Sequence, residues 1–272
     1  MKTSELMKKE FVVLDKNATI AEFLGKIREE KARDAVVLDK EKFFGMTSKR
    51  LLIRSRFDPH QMKISKITEH CPCLKGDEDI VEIARLMFTA DRQVLPVIKN
   101  DKVIGIVKAI DVIEQIKNMP ELSKTKIGNI ATRKLITINE DEGIGKAVKL
   151  MADNKIGRIP IINKKGEVTG LISFRDVEHH ILALHKTDRG SPLKSKTAAF
   201  GPKDFDVHAM PVSSLSKPRP ITEPEEATVA KAIDDLRRQN ISSIIVERNK
   251  EPVGIVTVRD FIKLLIREQS NY

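Results

Sequence analysis

The chain has 272 residues, and its 49 Lys and Arg against 39 Asp and Glu leave a formal charge of +10. Ten phenylalanines, one tyrosine and no tryptophan leave the core to Ile, Val, Leu and Met, while two cysteines, Cys71 and Cys73 around Pro72, exclude a disulfide framework or a four-cysteine zinc site. No apolar run approaches a membrane span and Met1-Lys2-Thr3-Ser4-Glu5 lacks the apolar stretch of a secretory signal, so a cytoplasmic protein without a membrane segment is expected.

Four copies of one pattern follow in order. In the first, Ala18-Thr19-Ile20 opens an amphipathic helix, Ala35 to Leu38 is a strand, and Asp39 to Lys42 is a turn. Its last piece, Gly45-Met46-Thr47-Ser48-Lys49-Arg50-Leu51, is a glycine-led strand running into a helix start. The second copy goes from Glu78-Asp79-Ile80 through Leu95-Pro96-Val97 to Gly105-Ile106-Val107-Lys108-Ala109-Ile110-Asp111. The third is the cleanest. Leu135 to Ile138 reads as a strand, and Ile144, Ala147, Val148, Leu150 and Met151 fall on one helical face, with Gly157 near the C-cap. Arg158 to Ile162 and Val168 to Ile172 are strands around the turn Asn163 to Gly166, and Ser173-Phe174-Arg175-Asp176 starts a second helix reaching about Leu184.

His185 to Met210 then breaks the rhythm with Lys186, Arg189, Lys194, Lys196 and Lys203. It reads as a long basic loop, either mobile or reaching over an anionic ligand. The fourth copy runs from Ala227-Thr228-Val229 through Ser243 to Val246 and ends in Gly254-Ile255-Val256-Thr257-Val258-Arg259-Asp260. Pro96 and Pro160 cannot donate to a ladder, so each is expected at a strand start or an edge. Units of roughly 60 residues bury only about 60% of their unfolded surface, so they should pair. The expectation is an α+β fold of four β-α-β-β-α units in two pairs.

The end of each copy is where chemistry would sit. A hydroxyl three residues before a carboxylate, at a strand-to-helix junction, has two readings. In one, Ser173 or Thr257 caps the helix and Asp176 or Asp260 reaches back to its backbone N–H, which stabilises each helix by about 1 kcal/mol and needs no ligand. In the other, the helix N-terminus faces phosphate, the carboxylate accepts a ribose diol, and Arg175 or Arg259 adds charge. For a single motif, spacing favours the cap.

The four heptapeptides in register, the strands Leu95-Pro96-Val97 and Ile159-Pro160-Ile161, and the leading segments Ser4 to Met7 and Ile127 to Ile130 resemble the CBS domain, whose tandem pairs are Bateman modules. The four-unit layout is similar to the γ subunit of AMP-activated protein kinase. This resemblance divides the chain into a first module at 1–120 (units 1–60 and 61–120) and a second at 124–272 (unit 124–185, basic insert 186–210, unit 211–272). It implies a non-catalytic regulator that binds AMP, ADP, ATP or S-adenosylmethionine between paired units. One pocket would take Ser173, Arg175 and Asp176, with Arg158 for phosphate and Ile221, Thr222 and Ser242 from the fourth unit. The other would take Thr257, Arg259 and Asp260, with Ile136, Thr137 and Gly157 from the third.

The first module departs from the pattern. Leu51 stands where the first unit's acid belongs, Val13 and Cys73 replace the first-strand threonine, and the second unit offers only Lys108 and Asp111. That half reads as structural or partner-binding, with one candidate site at Lys108 and Asp111. His179, His180 and His185 lack the spacing and carboxylate of a metal site and read as surface, and Met87 and Met151 read as core. No metal, catalytic cofactor or enzymatic nucleophile is implied. The resemblance implies a regulated partner protein, and leaves open whether the two modules stack within one chain or the chain homodimerises. The competing expectation is a scaffold that binds nucleic acid or an acidic partner through its positive surface.

Overall fold

A computed structural model describes residues 1–48, 61–154, 156–173, 176–177, 209–215, 217–218, 220–249 and 251–268. Contacts group the chain into two compact units. One holds Met1–Ile130, Glu226–Ser243 and Val256–Tyr272, and the other holds Ala131–Glu225 and Ile244–Ile255.

The first repeat comprises α1 (Thr3–Leu6), β1 (Val12–Asp15), α2 (Ile20–Glu29), β2 (Asp34–Asp39) and β3 (Lys42–Ser48). The second has α3 (Ile80–Thr89), β4 (Val94–Lys99), β5 (Lys102–Lys108), α4 (Ala109–Glu114), a 3-10 turn Gln115–Asn118, and α5 (Pro120–Ser123). The third has β6 (Ile138–Asn139), α6 (Ile144–Asp153), β7 (Arg158–Ile162) and β8 (Val168–Ser173). The fourth has β9 (Lys217–Pro218), β10 (Thr222–Pro224), α7 (Val229–Arg238), β11 (Ser243–Arg248), β12 (Glu251–Thr257) and α8 (Val258–Glu268).

Local chemistry fixes the helix starts. Thr19 caps α2 by accepting from Glu22 N–H while the Glu22 carboxylate returns to Thr19, Asp79 caps α3 through Val81 and Glu82, and Thr228 caps α7 through Lys231. Gly143 begins α6 without a side-chain cap. Phe23 on α2 and Phe261 on α8 have no exposed surface. Full burial of one such side chain contributes about 1.5–3 kcal/mol.

In three repeats a parallel pair leads, β1 with β2, β6 with β7 and β10 with β11, whereas the expected first strand of the second repeat is reduced to the single bridge Leu74 to Val97; in the first three repeats the glycine-led strand returns antiparallel. In three repeats the ladder slips just after the glycine's partner: Val37 opposite Gly45, Val97 opposite Gly105, Ile161 opposite Gly170. A bulge at this place bends the strand between the hairpin turn and the glycine.

The glycines themselves are needed because a neighbouring repeat's leading segment crosses them. Lys8 bridges Ile106, Met46 bridges Glu69, Thr132 bridges Ile255, and β9 pairs with Gly170 and Leu171. A Cβ on Gly45 would stand 2.7 Å from the Glu69 carbonyl oxygen, and one on Gly105 would stand 2.8 Å from that of Lys8. The first and second repeats thus exchange leading segments, and so do the third and fourth.

Three sequence expectations change in detail. Residues 135–137 are not strand, and β6 is only two residues long. Helix α6 ends on Asn154 as its C-cap, leaving Gly157 in the bend before β7. Pro96 and Pro160 lie third in β4 and β7 and not at a strand start; β4 is an edge of the two-stranded sheet it forms with β5, as the edge alternative expected, whereas β7 lies between β6 and β8. Both are tolerated because parallel pairing begins one residue later, at Val97 with Leu74 and at Ile161 with Ile138. Within the first unit, α8 packs on α3 and α4, and α7 packs on α4, α5 and the 115–118 turn.

Candidate functional site

Strand β8 ends at Ser173, and three residues later Asp176 turns back to it. Asp176 Oδ2 accepts from Ser173 N–H at 2.9 Å and from Ser173 Oγ–H at 2.5 Å. The fourth repeat repeats this geometry: Asp260 Oδ2 accepts from Thr257 N–H at 2.7 Å and from Thr257 Oγ1–H at 2.8 Å. Both acids are half-buried. Burial pushes the Asp260 carboxyl above its ordinary value, against the opposing pull of the Thr257 donors, Lys263 and Arg259.

This is half of the anticipated capping box. The acid takes the N–H, but the hydroxyl gives its hydrogen to the acid and so presents its lone pairs outward. One oxygen of each carboxylate does this work. Among the described residues no donor reaches the other oxygen, Oδ1, of either acid. Cap and ligand acceptor are therefore compatible on the same side chain. The remaining carboxylate oxygen and the hydroxyl lone pairs together form an acceptor set suited to a vicinal diol.

Arg158 opens β7 directly opposite Ser173 in the ladder, which brings their Cβ atoms within about 5.5 Å. Gly157 stands just before it, and a Cβ placed there would meet nothing within 4 Å. Ile136 and Thr137 precede β6, and Ile221 and Thr222 lie at the start of β10; all four are half-buried. Ser242, also half-buried, has its carbonyl bonded by Val258 N–H at 3.3 Å.

Other candidates are placed differently. Arg259 does not turn toward Asp260: its guanidinium stacks 4.3 Å from the Phe88 ring centre and pairs with Asp91. Lys108 is exposed and caps nothing. Asp111 is 10% exposed and is held by Arg237, Nη1 to Oδ1 at 2.6 Å, a partner that sequence spacing did not reveal. Arg175, the histidines 179, 180 and 185, Leu51, and the insert up to residue 208 lie outside the described residues.

In the first two repeats the facing sheets meet through an apolar cluster of Val36, Met46, Val94 and Ile106, with Phe11, Val13, Leu38 and Cys71 packed against it. Burial there pushes the Cys71 thiol up to about 12, so it is a packing group and not a nucleophile. No helix among the described residues is long and apolar enough to cross a membrane.

The family model for the CBS domain matches residues 4–58, 64–118, 127–183 and 212–267, and the chain belongs to that family. It is an α+β protein of four CBS repeats. It is 26% identical over 96% of its length to the uncharacterised protein MJ1404 of Methanocaldococcus jannaschii, and it spans 61% of that relative. The solved structure of MJ1225 from the same organism, described as a candidate archaeal homologue of γ-AMPK, superposes with a TM-score of 0.77 at 19% identity, covering 97% of this chain and 99% of that one. An uncharacterised conserved protein from Pyrococcus horikoshii gives 0.68 at 16% identity, covering 97% and 100%.

Proposed function

We propose that this chain is a cytoplasmic, non-catalytic sensor that binds adenosine-containing ligands through the hydroxyl–acid pairs of its third and fourth repeats. AMP, ADP, ATP and S-adenosylmethionine are the candidates, and occupancy regulates a separate partner protein. The observation that carries this reading is the repeated geometry of Ser173 with Asp176 and Thr257 with Asp260. In each, one oxygen of a half-buried carboxylate accepts from the strand end, and no donor among the described residues reaches the other.

The other assignments follow. Arg158, opposite Ser173 in the ladder, supplies a cation for phosphate, and Gly157 leaves room for a bulky group. Backbone and apolar groups of Ile136, Thr137, Ile221, Thr222 and Ser242 contact the base. The first two repeats serve as structural or partner-binding elements. The cavity between their sheets, about 230 Å³, is lined mainly by apolar groups such as Phe11, Val13 and Leu38, and the second repeat's acid is already held by Arg237.

The test is calorimetry with the four ligands on the wild type and on Asp176→Ala with Asp260→Ala, together with mass spectrometry of any small molecule that copurifies. Binding lost in the double variant supports the sensor. Binding to nucleic acid that survives both substitutions and falls steeply with salt would instead assign the function to the positively charged surface.

A further inference from the structure

The third and fourth repeats fold their motif acid back on its own strand end; the second does not. Asp111 reaches across to α7, where Arg237 Nη1 donates to its Oδ1 at 2.6 Å and stands 3.2 Å from Glu114 Oε2. Lys117 continues the chain, 3.4 Å from Glu114 Oε1 and 2.6 Å from Asp234 Oδ1. Charges alternate along the path Asp111, Arg237, Glu114, Lys117, Asp234. The network therefore joins α4 and the turn after it to two successive turns of α7. Asp111 is nearly buried while Arg237 is half-exposed, so this pairing is screened less than one between two surface charges.

The place of Arg237 gives the network a consequence beyond packing. It lies in the last turn of α7, which ends at Arg238. Four residues on, the Ser242 carbonyl holds Val258 N–H, the first residue of α8, and the third residue of α8 is Asp260. Helix α8 also rests on α3 and α4, and Arg259 grips Phe88 and Asp91 of the second repeat. The start of the fourth repeat's site helix is thus held by Ser242 of its own repeat and by Phe88 and Asp91 of the second.

We propose that Arg237, bridging Asp111 and Glu114, is a latch that fixes the N-terminus of α8 and so couples the second repeat's helices to the Thr257–Asp260 pair. The ligand half of this coupling rests on the function proposed above; the mechanical half does not. Coupling of this kind is reciprocal: whatever opens the latch changes ligand affinity, and ligand changes the latch.

Hydrogen exchange on the full chain tests it, comparing wild type, Asp111→Asn, Arg237→Met and the milder Arg237→Lys, which keeps the charge. The expected result is at least threefold faster exchange at residues 256–260 in Asp111→Asn and Arg237→Met. Asp234→Asn, at the far end of the network, should stay at the wild-type rate there. Exchange at 256–260 unchanged in every latch variant overturns the proposal. Titration with the four ligands supplies the second arm. A wild type that binds none of AMP, ADP, ATP and S-adenosylmethionine while exchange still rises sinks the sensor reading and leaves the latch standing. AMP binding with identical affinity and exchange in wild type and variants sinks the latch and leaves the sensor.

Discussion

Asp260→Asn separates the two jobs of the fourth repeat's acid. The Asp260 Oδ2 that accepts from Thr257 N–H at 2.7 Å can be replaced by the amide oxygen of Asn, so the start of α8 keeps its cap. Asp260→Ala leaves that N–H unpaired and should cost about 1 kcal/mol, which lowers Tm by about 2–4 °C in a protein of this size. Burial has raised the Asp260 pKa above the ordinary 3.8, so the folded state binds this proton more tightly than the unfolded chain. Ionisation therefore reduces stability as pH rises through the interval above 3.8, and Asp260→Asn removes that loss. At neutral pH the Asn variant should match or exceed wild-type stability.

Ligand affinity should move the other way. Hydrogen bonds to a charged group contribute about 1.5–3 kcal/mol each, and the amide nitrogen of Asn cannot accept from a ribose hydroxyl. AMP binding at this site should weaken at least tenfold in both variants, read by calorimetry beside differential scanning of the same samples. An Asn variant with full AMP affinity would show that the acid serves only its own helix.

Glu225 is held down to about 2, first by Arg248 and then by Arg133. Its contribution to stability is present above the usual 4.5 and is lost as pH falls toward 2, so between these values the wild type should lose stability more steeply than Glu225→Gln, read by denaturant titrations followed by circular dichroism at each pH. Gly45→Ala drives a Cβ to 2.7 Å from the Glu69 carbonyl and should destabilise by about 1–3 kcal/mol. Gly157→Ala meets open space and should leave thermal unfolding nearly unchanged. Phe23→Ala, which empties a fully buried position, should cost about 3–5 kcal/mol in denaturant titrations.

Periodicity and glycine spacing made the four repeats readable in the sequence because each strand and helix is short and local; that Thr19, Asp79 and Thr228 cap three of the helices came from the structure. The two hydroxyl–acid pairs were equally legible, being three residues apart in the chain. What the sequence concealed is long-range. Asp111 and Arg237 are separated by 126 residues, and nothing in either neighbourhood signals the other. Arg259 stands beside a site residue in sequence, yet an α-helix turns consecutive side chains about 100° apart, and its partners Phe88 and Asp91 come from another repeat. The direction of the Ser173 hydroxyl hydrogen also needed geometry, since spacing alone fits a donor or an acceptor.

Native mass spectrometry of the whole chain with AMP tests the sensor claim most directly. The account predicts that each single variant, Asp176→Asn or Asp260→Asn, carries one ligand fewer than the wild type, and that the double variant carries none. Equal occupancy in the wild type and the double variant would contradict it.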